Sequence, residues 1–213
     1  PPFAVYTIPV DASTAGRPLW DDRPDLDAVL TDVSPNGRDL AYTLTESQTG
    51  LNLYVRPVDG SGPARAVRAT TYGESYGTFS PDGRWLAYQS DETGRPEIYV
   101  EALVGPGKRF QISADGGIEP LWVRGSGEIF YRHRDEVRVV ATSTTGGEFE
   151  IEPPVTLFSL PWARTGNNAR SFDVEADGGR VLMTRIPEAA APRRIDIVTN
   201  WFDELDQLFT AAR

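Results

Sequence analysis

Apolar residues come in short bursts along this chain, separated by tight polar turns, and residues 79–100, "FSPDGRWLAYQSDETGRPEIYV", show the pattern in full. Ser80-Pro81-Asp82-Gly83 suits a type I turn: proline presets φ at the second position, glycine suits the fourth, and the serine can bond the turn backbone. "WLAYQS" then reads as a strand, "DETGRPE" as a hairpin loop and "IYV" as the next strand. "YGTF" before the turn and "KRFQIS" farther on supply two more, so the unit predicts four short antiparallel strands.

The unit recurs. Residues 33–42 read "VSPNGRDLAY", 79–88 "FSPDGRWLAY", 122–131 "WVRGSGEIFY" and 174–183 "VEADGGRVLM", with matched ends 46, 43 and 52 residues apart. An offset series runs alongside: "VYTIPVDAS" (5–13) matches "LYVRPVDGS" (53–61), and "IYVEALVG" (98–105) and "VRVVATST" (137–144) follow more loosely. Four short strands every 40–50 residues is the period of a β-propeller blade. Runs such as "WLAY" and "EIFY" are apolar on both faces, as sheets stacked face to face require. The expected fold class is therefore all-β: a propeller of four-stranded antiparallel blades with a short C-terminal α-helix.

The boundaries follow from the repeat. Residues 1–20 supply a half-blade, full blades span about 28–70, 74–113 and 118–158, and 170–200 offer a last unit of three strands. About four to five blades are thus present, and the chain reads as the C-terminal part of a six- or seven-bladed ring, since closed propellers have 4–8 blades. An open sheet edge is an aggregation liability, so a partner is expected: missing blades from upstream chain, or a second copy.

The "FSPDGRWLAYQSDETGRPEIYV" unit resembles the TolB-type propeller repeat, the SPDG-bearing cousin of the WD repeat. The stretches "GGEFEIEPPVTLF" (146–158), "FDVEADGGRVLMTR" (172–185) and "IVTNWFDEL" (197–205) resemble, in this order, the propeller tail that follows some bacterial serine/threonine kinase domains. Two units depart from the pattern, with Arg124-Gly125-Ser126-Gly127 and Glu175-Ala176-Asp177-Gly178 in place of SPDG. The resemblance implies a non-catalytic interaction or ligand-sensing module outside the cytoplasmic membrane, with a protein or peptide partner. Two alternatives stand beside it: the accessory propeller of a prolyl-oligopeptidase-type hydrolase, and a self-assembling scaffold.

Charge and composition narrow the chemistry. A net charge of −10 argues against nucleic acid and anionic membranes as partners. With no cysteine there is no disulfide framework or thiolate metal site, and no apolar run approaches a membrane span. His133-Arg134-Asp135 is the tripeptide of a kinase catalytic loop, but Val140 stands where that motif needs asparagine, so it reads as a solvated hairpin turn. His133 is also the sole histidine, and no G-x-S-x-G elbow accompanies it, so no intrinsic enzyme is expected. The aspartates Asp21, Asp22, Asp25, Asp27 and Asp32 lack the glycine and bidentate glutamate of a calcium loop and read as a solvated acidic segment. No metal or cofactor is expected.

Propellers bind ligands at the mouth of the central channel, near the starts of the first strands. In this register the rim candidates are Glu74, Ser75, Tyr76, Glu119, Trp122, Arg170 and Phe172, with Glu74 and Glu119 preceding equivalent strands. Trp20 and Trp162, in loops, are candidates for an exposed contact. The tail 200–213 reads as a helix capped by Asn200, with Trp201, Phe202, Leu205, Leu208 and Phe209 on one apolar stripe that can dock on the last blade or on a partner.

Overall fold

Ser80 organises its turn as its residue type predicts. Its hydroxyl donates to Asp82 Oδ1 (2.6 Å) and accepts from the Trp85 amide (3.0 Å), while Gly83 N donates to the Ser80 carbonyl (2.9 Å). Ser34-Pro35-Asn36-Gly37 repeats this arrangement, with Ser34 Oγ between Asn36 Oδ1 and the Asp39 amide, each at 2.8 Å. Gly37, Gly83, Gly127 and Gly178 all stand at positive φ, between 70° and 79°, where a side chain would be strained. The third turn has the same outer span as the others, Val123 to Glu128 as Ser80 to Trp85, but its glycine closes one residue later. Val123, and not Arg124, exchanges the closing bonds with Glu128 and Gly127, so the five residues 123–127 replace the expected four.

The computed structural model describes residues 6–11, 13–18, 28–105, 107–144, 148–159 and 170–184. β1 (Tyr6–Thr7) and β2 (Arg17–Pro18) form an antiparallel pair. The first four-stranded sheet is β3 (Ala28–Val33), β4 (Asp39–Glu46), β5 (Gly50–Pro57) and β6 (Arg65–Arg68). The second is β7 (Glu74–Phe79), β8 (Trp85–Ser90), β9 (Glu97–Ala102) and β10 (Arg109–Gln111). The third runs β11 (Ile118–Trp122), β12 (Ile129–His133) and β13 (Glu136–Val140), then breaks into the small hairpin β14 (Thr142–Ser143) with β15 (Glu150–Ile151) before its fourth strand, β16 (Val155–Ser159). In the fourth unit β17 (Phe172–Val174) pairs with β18 (Val181–Met183). The rest of that unit, the acidic segment before Ala28, Trp20, Trp162 and the expected helix at 201–213 lie outside the described residues.

Every pairing is antiparallel, and the four-stranded sheets follow chain order, as meandering blades do. The apolar-on-both-faces pattern resolves into two cores per sheet. On β8 and β9, Trp85, Ala87, Ile98 and Val100 pack against the third sheet with Trp122, Ile129 and Tyr131. Their alternates Leu86, Tyr88 and Tyr99 pack against the first sheet with Ala41, Leu53 and Val55. Period-two side chains thus serve two neighbours at once. Each fully buried large apolar residue contributes about 1.5–3 kcal/mol, so burial between sheets is the main cohesion. Phe149, from the loop between β14 and β15, wedges among Trp85, Phe110 and Trp122 with ring centroids 5.1–5.9 Å away. Gly77 allows the first and second sheets to close: a Cβ there would stand 2.8 Å from Leu53 Cδ1.

Candidate functional site at the first strands

The first strands β3, β7 and β11 stand beside one another, and each breaks register once against its partner, between Leu30 and Asp32, Ser75 and Thr78, and Ile118 and Leu121. These bulges re-aim side chains. Tyr76 (φ 59°) and Glu119 (φ 55°) sit at the same place in successive strands, three residues before the terminal aromatics Phe79 and Trp122, in left-handed backbone. For residues other than glycine this conformation costs of order 1–3 kcal/mol and clusters where function requires it.

Glu119 is 5% exposed and holds three sheet elements together. Its Oε1 accepts from Arg132 Nη1 (3.1 Å), and its Oε2 accepts from the amide (2.8 Å) and hydroxyl (2.5 Å) of Ser171. Arg132 Nη1 also donates to Ser171 Oγ (2.8 Å). Arg170, next along the chain, donates from Nε to the Pro120 carbonyl (3.1 Å). No carboxylate among the described residues pairs with it. Burial pulls its pKa down, while Asp32, Asp173, Glu119 and Tyr76 are near enough to act on its charge. Arg170 and Tyr76 are both half-buried: crowded by neighbours, yet open to water. Burial pushes the Tyr76 phenol up, so it is a hydrogen-bonding hydroxyl at neutral pH.

Of the seven rim candidates, the structure brings Tyr76, Glu119 and Arg170 together. Trp122 is 2% exposed, fills the core between the second and third sheets, and donates from Nε1 to Gly127 O (3.1 Å). Phe172 points into the core between the third and fourth units, and Ser75 is buried. Trp122 and Phe172 face sheets and not the mouth, because alternate residues of a first strand point into the packing. Glu74 and Glu119 do not occupy equivalent positions: Glu74 lies five residues before Phe79, Glu119 three before Trp122.

Glu74 is 1% exposed, with Oε1 accepting from Thr70 Oγ1 (2.5 Å) and Oε2 without a hydrogen-bond partner among the described residues. Burial raises its pKa. Folding therefore takes up a proton there, and stability falls as pH rises from the ordinary carboxylate range through the raised folded value. Glu74→Gln is expected to flatten that fall. Urea unfolding of both proteins at about pH 4 and about pH 7 checks it, and equal pH slopes would refute it.

His133 departs from expectation too. It closes β12 at 5% exposure, with Nδ1 bonded to Gly116 O (2.9 Å), while Arg134 and Asp135 form the solvated turn. Among the described residues, no cluster of three His, Cys, Asp or Glu could hold a metal, and no helix is long and apolar enough to cross a membrane.

Asp32 is the residue whose role the sequence hid. It is no solvated loop acid: it sits on β3, accepts from Phe79 N (2.8 Å) and Thr78 Oγ1 (3.2 Å) of the second sheet, and pairs with Arg124 Nη2 (3.1 Å) of the third. Its signal is the dipeptide Asp-Val directly before the turn, at 32–33 and again at 173–174.

No family model matches the chain. An uncharacterized protein of Agrobacterium fabrum is 27% identical over 188 residues, covering 82% of this chain and 59% of that protein. Among solved structures, a TolB-like protein of Agrobacterium tumefaciens matches with a TM-score of 0.55 at 25% identity, over 74% of this chain and 57% of its own. The fold is a TolB-like β-propeller. TolB of Acinetobacter baumannii has the same TM-score at 17% identity, over 82% of this chain and 46% of its own. The chain thus spans less than two thirds of the length of these relatives.

Proposed function

We propose that this chain is a non-catalytic recognition module that takes a protein or peptide partner at the mouth lined by Tyr76 and Arg170, with Glu119 behind them. The observation that carries the reading is Arg170 beside Tyr76: a guanidinium with no carboxylate partner among the described residues and a strained aromatic, both reachable from water. Tyrosine and arginine are enriched at the centres of protein interfaces, where each combines apolar area with hydrogen-bond donors. The Glu119–Arg132 pair is committed to Ser171 and so serves as the rigid support behind them. A position outside the cytoplasmic membrane, as part of a receptor-type serine/threonine kinase or a TolB-like periplasmic protein, is the setting we assign from the resemblance of the repeat and tail stretches.

Peptides selected from a displayed library against the purified chain supply the probe. Arg170→Gln and Tyr76→Gly are each expected to weaken the selected peptides by roughly tenfold or more. Tyr76→Gly removes the backbone strain, so its stability is expected to stay within about 1 kcal/mol of the parent. Peptides that bind both variants as tightly as the parent place recognition elsewhere.

A further inference from the structure

Four arginines among the described residues are half-buried: Arg68, Arg109, Arg138 and Arg170. The first three each hold a carboxylate, at Glu101 (2.8 Å), Glu92 (2.6 Å) and Asp115 (2.9 Å). Burial takes water from a guanidinium, and an anion at hydrogen-bond distance offsets that loss. Arg170 is buried to the same degree, and no such anion holds it among the described residues.

The plane of this side chain is held at one edge. Pro120 stands in the bulge of β11 without a ladder partner, which leaves its carbonyl to accept from Arg170 Nε (3.1 Å). The end of the fork, Nη1 and Nη2, then has no acceptor among the described residues, and neither nitrogen is sealed from water. The carboxylates that act on the Arg170 charge do not fill the fork. Glu119 has both oxygens engaged by Arg132 and Ser171, Asp32 is held by Phe79 N and Arg124, and Asp173 accepts from Val174 N. The Tyr76 phenol, a hydroxyl at neutral pH, acts on the same charge and adds a donor on that side.

We infer, on the reading that a peptide partner binds at the mouth, that this partner presents a carboxylate there, seated across Nη1 and Nη2 of Arg170. A backbone carbonyl of the partner would take up one N–H direction and leave the charge unmatched. A carboxylate takes two parallel bonds and offsets the charge, which is the complement the other half-buried arginines already have inside the chain. An aspartate, a glutamate and a free chain end all offer the same two oxygens. The net charge of −10 repels acidic partners at a distance, so a preference for a carboxylate has to come from a local cation. Arg124 and Arg132 are already matched by Asp32 and Glu119, and Arg170 is the cation left over at the mouth.

The test changes the peptide first and the protein second. Peptides selected from a displayed library against the 213-residue chain are remade with each acidic side chain converted to its amide, and separately with an amidated C-terminus. One such change in each peptide is expected to weaken binding to the parent chain by roughly tenfold or more. Loss on a side-chain amide identifies an acidic residue as the source, and loss on the terminal amide identifies a chain end. Against Arg170→Gln the acid and amide forms are expected to bind alike, because the fork that tells them apart is gone. Amide forms that all bind the parent chain as tightly as the acids overturn the carboxylate, and a weakening by Arg170→Gln alone would still leave the mouth as the binding site. An acid-over-amide preference that persists undiminished in Arg170→Gln also overturns it, since another cation then reads the acid.

Discussion

Glu119→Ala is expected to lower the unfolding free energy by roughly 3–5 kcal/mol, read from urea denaturation at neutral pH. The cost comes from what the substitution strands, more than from the contact it removes. Arg132 is 4% exposed, so water cannot replace the carboxylate oxygen that its Nη1 loses. The Ser171 amide and hydroxyl lose their acceptor in the same step, and Ser171 leads into β17, the strand that carries the fourth unit. Glu119→Gln keeps an acceptor for Ser171 while removing the charge, so its loss is expected to be the smaller. Pairing Glu119→Ala with Arg132→Met gives the sharper measurement. If the buried pair is the reason, the double variant costs less than the sum of the singles, with a coupling of about 0.5–3 kcal/mol. Strict additivity would assign the loss to the Ser171 amide and hydroxyl left without their acceptor, and not to the buried pair.

The repeat was legible because its physics is local. A proline, a short polar acceptor and a glycine within four residues fix a turn, and the strands on either side need only alternate to fill two cores. The mouth was less legible, because its geometry depends on where a strand breaks register. One extra residue reverses every later side chain. That is why Trp122 faces the sheets, and why Tyr76 is the counterpart of Glu119 in place of Glu74. The sequence does mark two of the three breaks. Tyr76 is followed by Gly77 and Glu119 by Pro120, and glycine or proline inside a first strand is a bulge signal. The third turn misled for a related reason: Arg124-Gly125-Ser126-Gly127 has the length of SPDG, but its glycine closes on Val123. Inter-sheet bonds such as those of Asp32 join residues 46 and 47 positions apart, beyond the reach of any local pattern.

Asp32→Ala is expected to cost about 2–4 kcal/mol, although the residue lies near the surface end of its strand. The carboxylate accepts from Phe79 N, and Phe79 is 1% exposed, so the deleted acceptor leaves a buried amide that water cannot reach. Thr78 loses one partner as well, though its hydroxyl keeps its role as acceptor for Trp122 N. Arg124 matters less: its side chain is 49% exposed, and ion pairs at that exposure are worth at most about 1 kcal/mol. The two contributions separate by choice of substitution. Asp32→Asn retains an oxygen for the Phe79 amide and gives up the charge and the exposed-side acceptor of Val33 N and Arg124, so it is expected to cost clearly less than Asp32→Ala, about 1 kcal/mol. Hydrogen exchange at the Phe79 amide gives an independent reading, because Asp32→Ala must speed it and Asp32→Asn must leave it slow. Should the two variants prove equally destabilised, the first and second sheets are held by apolar burial alone.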